Sequence, residues 1–323
     1  MTKPEERRKL VVAEPLGVPE KEIREALHLF TQAGHELVIA SGKPADPDAT
    51  VRLCADADYV ILANMPFPDA VVDACPKLRF VDVAFTGVDH VGLNACRRRG
   101  IRVCNASGYA TRAVSEQALC MFLSLLRALP AMDRETRLGH GRNGFAGREA
   151  AGKTCGIVGM GAIGLATAHL LEAFGCRVVG TSATQTSGER EGIPMLPLAD
   201  VLGMSDAVFL HCPLKDTTRG LIREETIAQL KDGALLLNLA RGPVVDTPSV
   251  IAALESGKLS GYASDVFDRE PPLDPEDPIL HAPNTLFMPH TGYATQEAMR
   301  MRLDMVVENL MRYLSGDPCR VVL

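Results

Sequence analysis

Short apolar runs alternate with an amphipathic stretch along the first hundred residues. Residues 10–13, 35–40, 59–63 and 78–83 have the length and β-branched content of strands, and 20–33 has the apolar spacing of a helix. Strands that alternate with helices predict a parallel sheet that is covered by helices on its faces.

A second series of strands and helices follows from 154 to 289, and the tail 294–313 again has helical spacing. Between the two series, residues 113–129 are apolar on nearly every side. This pattern predicts a buried helix that packs within its own chain and against another subunit. Residues 138–153 are rich in glycine and charge and are predicted to be a loop that crosses between domains. Because chains of 323 residues usually split, the pattern predicts an α/β protein with two doubly wound parallel-sheet domains.

The composition is that of an ordinary globular protein. Hydrophobic residues make up 46% of the chain and charged residues 23%, which excludes a disordered chain, and a net charge of -6 without a basic region argues against a nucleic acid partner. No apolar run reaches the roughly 18 residues of a membrane-spanning helix. The first residues also lack a signal-peptide pattern, so we predict a cytoplasmic protein that does not bind a membrane.

The nine cysteines are scattered singly along the chain, and none of them forms a CxxC pair. Disulfide frameworks and zinc sites both need clustered spacing. We therefore predict reduced, mostly buried thiols and no metal site.

A dinucleotide-binding fingerprint follows the first strand of the second series and leads directly into a helix. In such a GxGxxG turn the first glycine permits a tight turn, the second admits a pyrophosphate to the backbone, and the third lets helix and strand pack closely. The free N–H groups at the start of the helix favour phosphate oxygens. The predicted phosphate site comprises Gly159, Gly161, Ala162, Ile163 and Gly164.

The next strand, 177–180, leads into Thr181 and Ser182, where dinucleotide-binding folds usually carry an acid that accepts hydrogen bonds from the ribose 2′-hydroxyl. No carboxylate is present, and hydroxyl groups tolerate a 2′-phosphate. We therefore predict NADP or NAD as the cofactor, with NADP slightly favoured. The alternative is a polar loop that is indifferent to the phosphate, since no arginine follows immediately.

Three further strands of the second series are followed by polar residues with useful chemistry, namely Arg241, Glu270 and His290. Because the carboxyl ends of parallel strands share one edge of a doubly wound sheet, all three are expected to face one crevice. An arginine fork pairs with a carboxylate, a histidine exchanges protons near neutral pH, and a neighbouring carboxylate orients the histidine. The trio predicts the reduction of a 2-keto acid, while each residue taken singly has a structural alternative as a surface arginine, an exposed acid or a core histidine.

Over nearly the whole chain from Lys77 onward, the sequence resembles the D-isomer-specific 2-hydroxyacid dehydrogenase family. The resemblance is carried by the ordered motifs KLRFVDVAFTGVDHVGL, GREAAGKTCGIVGMGAIG, HCPLKDTTRGLI, LLLNLARGPVVD, GYASDVFDREPP and TLFMPHTGYAT. It implies that Arg241 binds the carboxylate and carbonyl of the substrate, that Glu270 orients His290, and that His290 is the acid/base.

The resemblance also implies contacts outside this trio. Residues expected to contact the dinucleotide, beyond the glycine turn, are Thr111, Val114, Thr181, Ser182, His211, Cys212, Pro213, Thr218 and Asp265. Residues expected to contact the substrate, besides Arg241 and His290, are Asn64, Met65, Thr86 and Gly87. The implied organisation is a Rossmann-type cofactor domain, 105–292, inserted in a flavodoxin-like substrate domain, 1–104 and 293–323, with a homodimer formed through 113–129.

Departures from the family pattern favour a small unphosphorylated substrate such as glyoxylate or hydroxypyruvate. Phe85 stands where many members have a small residue, and the 64–66 loop offers no basic residue for a substrate phosphate. The alternatives are a phosphoglycerate dehydrogenase-like enzyme and a dinucleotide-sensing, corepressor-like binding protein. Formate dehydrogenases of the family resemble a pattern with glutamine at the position of Glu270, so they fit less well.

Overall fold

The computed structural model describes residues 7–270 and 272–323 and divides the chain into two compact units. The first unit extends to Ala110 and includes Ala294–Leu323, whereas the second unit is Thr111–Tyr293. The main sheet of each unit is entirely parallel. The predicted α/β class with two parallel-sheet domains is therefore confirmed.

The first unit begins with five strands and five helices in strict alternation except for one helix pair. Its elements are β1 (Lys9–Val12), α1 (Glu20–Ala26), α2 (His28–Gln32), β2 (Glu36–Ile39), α3 (Pro47–Cys54), β3 (Tyr59–Leu62), α4 (Asp69–Asp73), β4 (Phe80–Val83), α5 (Leu93–Arg99) and β5 (Arg102–Asn105). The strand order is β2-β1-β3-β4-β5. Because the order reverses between β1 and β3, the carboxyl ends of these two strands flank the place where such sheets bind ligands.

The second unit is a doubly wound sheet that starts with two helices. Its elements are α6 (Thr111–Arg127), α7 (Leu129–Arg137), β6 (Thr154–Val158), α8 (Ala162–Ala173), β7 (Arg177–Thr181), β8 (Glu189–Arg190), β9 (Ile193–Pro194), α9 (Leu198–Met204), β10 (Ala207–Leu210), α10 (Glu224–Ile227), β11 (Ala234–Asn238), a 3-10 turn (Gly242–Val244), α11 (Thr247–Glu255), β12 (Leu259–Ser264), α12 (Pro278–His281) and β13 (Thr285–Phe287). The chain then enters α13 (Gln296–Leu314), which belongs to the first unit.

The main sheet of the second unit has the order β13-β12-β11-β10-β6-β7, so its order reverses between β6 and β10. Apolar residues cover both faces of the sheet: α6 and α8 pack with one core cluster, and α10 and α11 pack with the other. Strands buried on both sides explain why β10 and the first four residues of β11 are continuous apolar runs in the sequence. None of the described helices is long and apolar enough to cross a membrane.

Two helical predictions need correction. The helix predicted over 20–33 is divided at Leu27, which leaves helical geometry while its side chain, like those of Ile23 and Phe30, stays buried in the core.

The helix predicted over 113–129 is not buried on every side within this chain, because Glu116 and Cys120 are exposed. Glu116 and Cys120 are four residues apart and therefore lie on the same side of the helix. The apolar residues on the opposite side of the helix pack against the core.

A buried carboxyl group lies in the middle of the first unit. Asp82 on β4 is fully buried, and its Oδ1 atom accepts a hydrogen bond of 2.9 Å from Nδ2 of Asn309 on α13. Its Oδ2 atom has no hydrogen-bond partner among the described residues. Burial raises the pKa of Asp82 to about 8.

We predict that replacing Asp82 with asparagine changes the pH dependence of stability. Between about pH 4, the ordinary value for a carboxyl group, and about pH 8, native Asp82 keeps a proton that the unfolded chain releases, so the free energy of unfolding falls as pH rises. Asp82→Asn removes this proton linkage and keeps an acceptor for Asn309. Its melting temperature should exceed that of the wild type at pH 8, with a gap that shrinks towards pH 5.

The gain at pH 8 should correspond to at least about 1 kcal/mol, because each unit of pKa shift is worth about 1.4 kcal/mol. Asp48→Asn, at an exposed position on α3, is the matched control and should leave the pH profile unchanged. Parallel melting profiles for wild type and Asp82→Asn would contradict this account.

Candidate active site

The glycine turn after β6 is shaped by close backbone contacts. Gly159 has a φ of +105°, and a methyl group there would lie 2.4 Å from the backbone nitrogen of Cys212. A methyl group at Gly164 would lie 2.2 Å from the carbonyl oxygen of Gly159. At Gly161, the N-cap of α8, nothing lies within 4 Å of the same position. The first and third glycines are thus required by the fold, and the second leaves open space at a helix N-terminus, as a pyrophosphate needs.

The end of β7 lies beside this turn. The carbonyl oxygen of Thr181 accepts a hydrogen bond of 2.9 Å from the N–H of Gly159, while the Thr181 side chain is buried. Ser182 begins a tight turn in which its Oγ atom accepts a hydrogen bond of 3.1 Å from the N–H of Gln185. The backbone of Thr181 therefore supports the glycine turn, and Ser182 is the partly exposed residue of the pair.

The segment after β10 packs under the glycine turn. Nε2 of His211 lies 3.1 Å from Oγ1 of Thr167 on α8, and burial lowers the pKa of His211 to about 4, so the imidazole is neutral at neutral pH. Burial also raises the pKa of Cys212 to about 11, which keeps it a thiol. Thr218 donates a hydrogen bond of 2.7 Å to the carbonyl oxygen of Pro213 and so closes the loop. Sequence reasoning did not identify Thr167, since no motif links it to His211.

The segment after β13 carries His290. Its Nδ1 atom lies 3.0 Å from Oε2 of Glu270, and the two side chains are 19% and 45% exposed, respectively. His290 has a φ of +55°, in the left-handed region that few residues other than glycine adopt. The structure thus places the predicted histidine and glutamate in direct contact.

The unusual backbone at His290 is held by Asp265, which directly follows β12. Its Oδ1 atom accepts the N–H of Thr291 and its Oδ2 atom accepts the N–H of Gly292, both at 2.8 Å. Asp265 is only 3% exposed, and burial raises its pKa although these two N–H groups and His290 act in the opposite direction. A methyl group at Gly292 would lie 2.7 Å from Asp265 and 3.6 Å from Val114 on α6, so the carboxylate fits closely against this turn.

Arg241 follows β11, at the same edge of the sheet. Its Nη1 atom donates a hydrogen bond of 2.8 Å to the carbonyl oxygen of Ala240. A methyl group at Gly242 would lie 1.9 Å from the backbone carbon of Phe267, so only glycine fits there. This contact packs the turn of Arg241 against the segment that continues to Glu270.

The predicted substrate residues of the first unit lie at the carboxyl ends of its strands. Asn64 is exposed, but the Met65 side chain is buried in the core, so only its backbone is available to a ligand. Oε1 of Glu14 accepts the N–H groups of Ala63 and Met65, both at 2.8 Å.

The second predicted substrate segment, Thr86–Gly87, is held by Asn105. Nδ2 of Asn105 donates a hydrogen bond of 2.8 Å to the carbonyl oxygen of Thr86. Neither Glu14 nor Asn105 was identified from the sequence, because only the strand order brings them to these segments.

Known proteins resemble both the sequence and the fold. A sequence model of a protein family, described as "D-isomer specific 2-hydroxyacid dehydrogenase, NAD binding domain", matches residues 119–292. A hydroxypyruvate reductase from Blautia hydrogenotrophica is 33% identical over 285 residues, which cover 86% of this chain and 88% of that protein. A glyoxylate reductase from Korarchaeum cryptofilum is 34% identical over 282 residues, 85% of each chain. The chain belongs to the D-isomer specific 2-hydroxyacid dehydrogenase family.

The fold agrees with this assignment. A crystal structure of a protein from Thermus thermophilus, 32% identical, superimposes with a TM-score of 0.86 and covers 98% of this chain and 100% of that chain. As a member of the family, the chain has a nicotinamide dinucleotide as its cofactor. The glycine turn fits that group, because it combines an open Gly161 with the N-terminus of a twelve-residue helix.

The contact between His290 and Glu270 predicts opposite pH trends for the two directions of a 2-hydroxyacid dehydrogenase reaction. Reduction needs a protonated imidazole and should slow as pH rises, whereas oxidation needs a neutral imidazole and should slow as pH falls. Glu270→Gln removes the carboxylate that lies 3.0 Å from Nδ1 of His290, so kcat should fall in both directions. Steady-state rates in both directions across pH 5 to 10 measure this.

His290→Ala should lose about two to four orders of magnitude in kcat, which is the usual effect of a positioned acid/base. His281→Ala, at a histidine on α12 outside the site, is the control and should keep wild-type kcat. Wild-type kcat in Glu270→Gln or in His290→Ala would show that this pair does not move the proton.

Proposed function

We propose that this protein reduces a small 2-keto acid, glyoxylate or hydroxypyruvate, with NADPH or NADH to the corresponding 2-hydroxy acid, which for hydroxypyruvate is the D isomer. The observation that carries the proposal is the contact of 3.0 Å between His290 and Glu270, in a turn fixed by Asp265 at the sheet edge that also carries Arg241. The second unit, predicted as 105–292, is proposed to bind the dinucleotide. The first unit, predicted as 1–104 and 293–323, is proposed to contribute to keto-acid binding.

Each residue of the trio has a distinct task in this proposal. The guanidinium of Arg241 holds the carboxylate and the carbonyl oxygen of the keto acid in a fixed plane. His290 donates a proton from its Nε2 atom to the carbonyl oxygen, since its Nδ1 atom faces Glu270. Glu270 fixes the tautomer and stabilises the charged imidazole. The bound dinucleotide supplies the hydride for the carbonyl carbon.

The preference for a small unphosphorylated substrate rests on two features. Relatives named hydroxypyruvate reductase and glyoxylate reductase are a third identical to this chain over most of its length. The 64–66 loop, Asn-Met-Pro, carries no basic side chain, and a phosphoglycerate dehydrogenase-like activity would need a cation for the substrate phosphate. A corepressor-like protein that only senses the dinucleotide would bind NADPH and NADH without turnover.

Turnover of a panel of 2-keto acids tests the proposal directly. Glyoxylate or hydroxypyruvate should give the highest kcat/KM, above pyruvate and above 3-phosphohydroxypyruvate. Arg241→Lys keeps the charge but loses the planar fork, so KM for the keto acid should rise and kcat/KM should fall by at least about tenfold.

Arg177→Lys, at an exposed position at the start of β7, is the matched control and should behave like the wild type. Dinucleotide binding without turnover of any keto acid would favour the corepressor-like alternative. Unchanged kinetics in Arg241→Lys would move the carboxylate anchor to another residue.

We further propose that NADPH is accepted at least as well as NADH, because Ser182 stands at the end of β7 where a carboxylate would repel the 2′-phosphate. A carboxylate there would cost NADPH about 1.5 to 3 kcal/mol after screening, which is roughly tenfold or more in affinity. Ser182→Asp should therefore shift the ratio of kcat/KM for NADPH over NADH towards NADH by about tenfold or more.

Thr186→Asp places the same charge at an exposed position of the same loop and should change this ratio much less. A wild type that is strongly selective for NADH would contradict the proposal. So would an equal shift in both variants.

A homodimer formed through 113–129 stays a prediction. It is supported by α7, which directly follows α6 and buries none of its side chains within the described chain, and by Leu129, which is 53% exposed. Light scattering should report twice the mass of one chain, and a monomer at micromolar concentration would contradict this.

A cytoplasmic location is likewise proposed, on the ground that all nine cysteines are free thiols. Export to an oxidising compartment in a fractionation experiment would contradict it.

A further inference from the structure

Asn238 is the last residue of β11 and is fully buried. It precedes Arg241 by three positions in the sequence. Both ends of its carboxamide are used in the turn that follows. Nδ2 donates a hydrogen bond of 3.0 Å to the carbonyl oxygen of Arg241, and Oδ1 accepts one of 3.1 Å from the N–H of Ala240. The Asn238 side chain therefore connects the N–H of Ala240 to the carbonyl oxygen of Arg241 and stabilises the turn between them.

The Ala240 residue connects the carboxamide to the guanidinium. Its N–H is held by Asn238, and its carbonyl oxygen accepts the hydrogen bond from Nη1 of Arg241. A rotation of the peptide groups around Ala240 would thus move the acceptor that orients the arginine side chain. Asn238 is thus hydrogen-bonded directly to the backbone of Arg241 and is linked to its guanidinium only through Ala240.

The same asparagine is tied to the neighbouring strand. Its carbonyl oxygen accepts the N–H of Asp265 at 3.0 Å, and Asp265 in turn holds the turn of His290. On the other side, the missing side chain of Gly242 lets the turn pack directly on Phe267. Asn238 lies between the segment that carries Arg241 and the residue that fixes His290.

We propose that Asn238 is a positioning residue that fixes Arg241 for keto-acid binding, a role that rests on the proposed function. A carboxamide is required because the turn needs a donor and an acceptor from one short side chain. Aspartate would keep the acceptor but would place a second oxygen against the carbonyl of Arg241. Alanine would supply neither group. The N–H of Ala240 would lose its acceptor, and the carbonyl oxygen of Arg241 would keep only the N–H of Val244 as a donor.

The first test is a double-mutant cycle on kcat/KM for the keto acid with Asn238→Ala, Arg241→Ala and the double variant. Asn238→Ala should lose on the order of 10²-fold, as expected for a displaced substrate-binding group, mainly through KM. In the Arg241→Ala background the same substitution should have little further effect. Dinucleotide affinity, measured by NADPH fluorescence, should stay within about twofold of the wild type, since the glycine turn is untouched.

The second test follows Arg241 without using activity. Phenylglyoxal modifies accessible guanidinium groups, and peptide mass spectrometry reports the rate at Arg241. Loss of the hold on Ala240 should raise that rate several-fold in Asn238→Ala. Asn238→Asp should raise it as well, because it removes the hydrogen bond to the Arg241 carbonyl while keeping side-chain size.

Ser205→Ala is the matched control for both tests. Ser205 is also fully buried in the second unit and donates one hydrogen bond to a carbonyl oxygen, that of Val201, but it precedes β10 at the opposite edge of the sheet. It should change neither kcat/KM nor the labelling of Arg241. Melting curves show whether each variant is folded.

Additive loss in the double variant would overturn the positioning role. Labelling of Arg241 at the wild-type rate in both Asn238 variants would do the same. Unfolding of both Asn238 variants beside a folded Ser205→Ala would also overturn it, since Asn238 would then serve the fold as a whole. A wild type inert on every keto acid, with labelling still raised in the variants, would keep the positioning role and refute the proposed function instead.

Discussion

The geometry of the site depends on one buried carboxylate. Asp265 accepts the N–H groups of Thr291 and Gly292 with its two oxygens, and this holds the backbone of His290 at a positive φ. A non-glycine residue in that region costs free energy, so the surrounding hydrogen bonds have to compensate for it. With the turn held in this way, the imidazole meets Glu270 at 3.0 Å. Without the Asp265 carboxylate, the turn would lose these two hydrogen bonds, and His290 would no longer be held against Glu270.

Parallel topology explains why these residues meet at all. Arg241, Asp265 and His290 each follow a strand, and successive strands β11, β12 and β13 are neighbours in the sheet, so their carboxyl ends lie at one edge. The order reverses between β6 and β10, and the glycine turn follows β6 at that point. Two close backbone contacts, at Gly159 and Gly242, allow these turns to pack without side chains between them.

The sequence predicted much of the fold and most of the chemistry, because both leave periodic or local signals. The glycine turn is contiguous, and Arg241, Glu270 and His290 each follow an apolar strand. Their meeting at one edge follows from the alternation of strands and helices alone. The family resemblance then supplied the role of each residue.

Residues that act through distant contacts could not be predicted in this way. Asn238, Glu14 and Thr167 have ordinary local surroundings, and their partners become visible only once strand order and register are known. The break at Leu27 leaves the apolar spacing intact, so the pattern could not reveal it. The burial of Met65 likewise depends on packing in three dimensions rather than on its neighbours in the sequence.

The most direct measurement of the central claim is the fate of the hydride. The protein is incubated with glyoxylate or hydroxypyruvate and with NADPH that carries deuterium at both C4 positions of the dihydronicotinamide. Mass spectrometry and chiral chromatography of the product follow. We expect one deuterium on the former carbonyl carbon, and for hydroxypyruvate the D isomer. A product without deuterium, the L isomer, or no consumption of NADPH or NADH would contradict it.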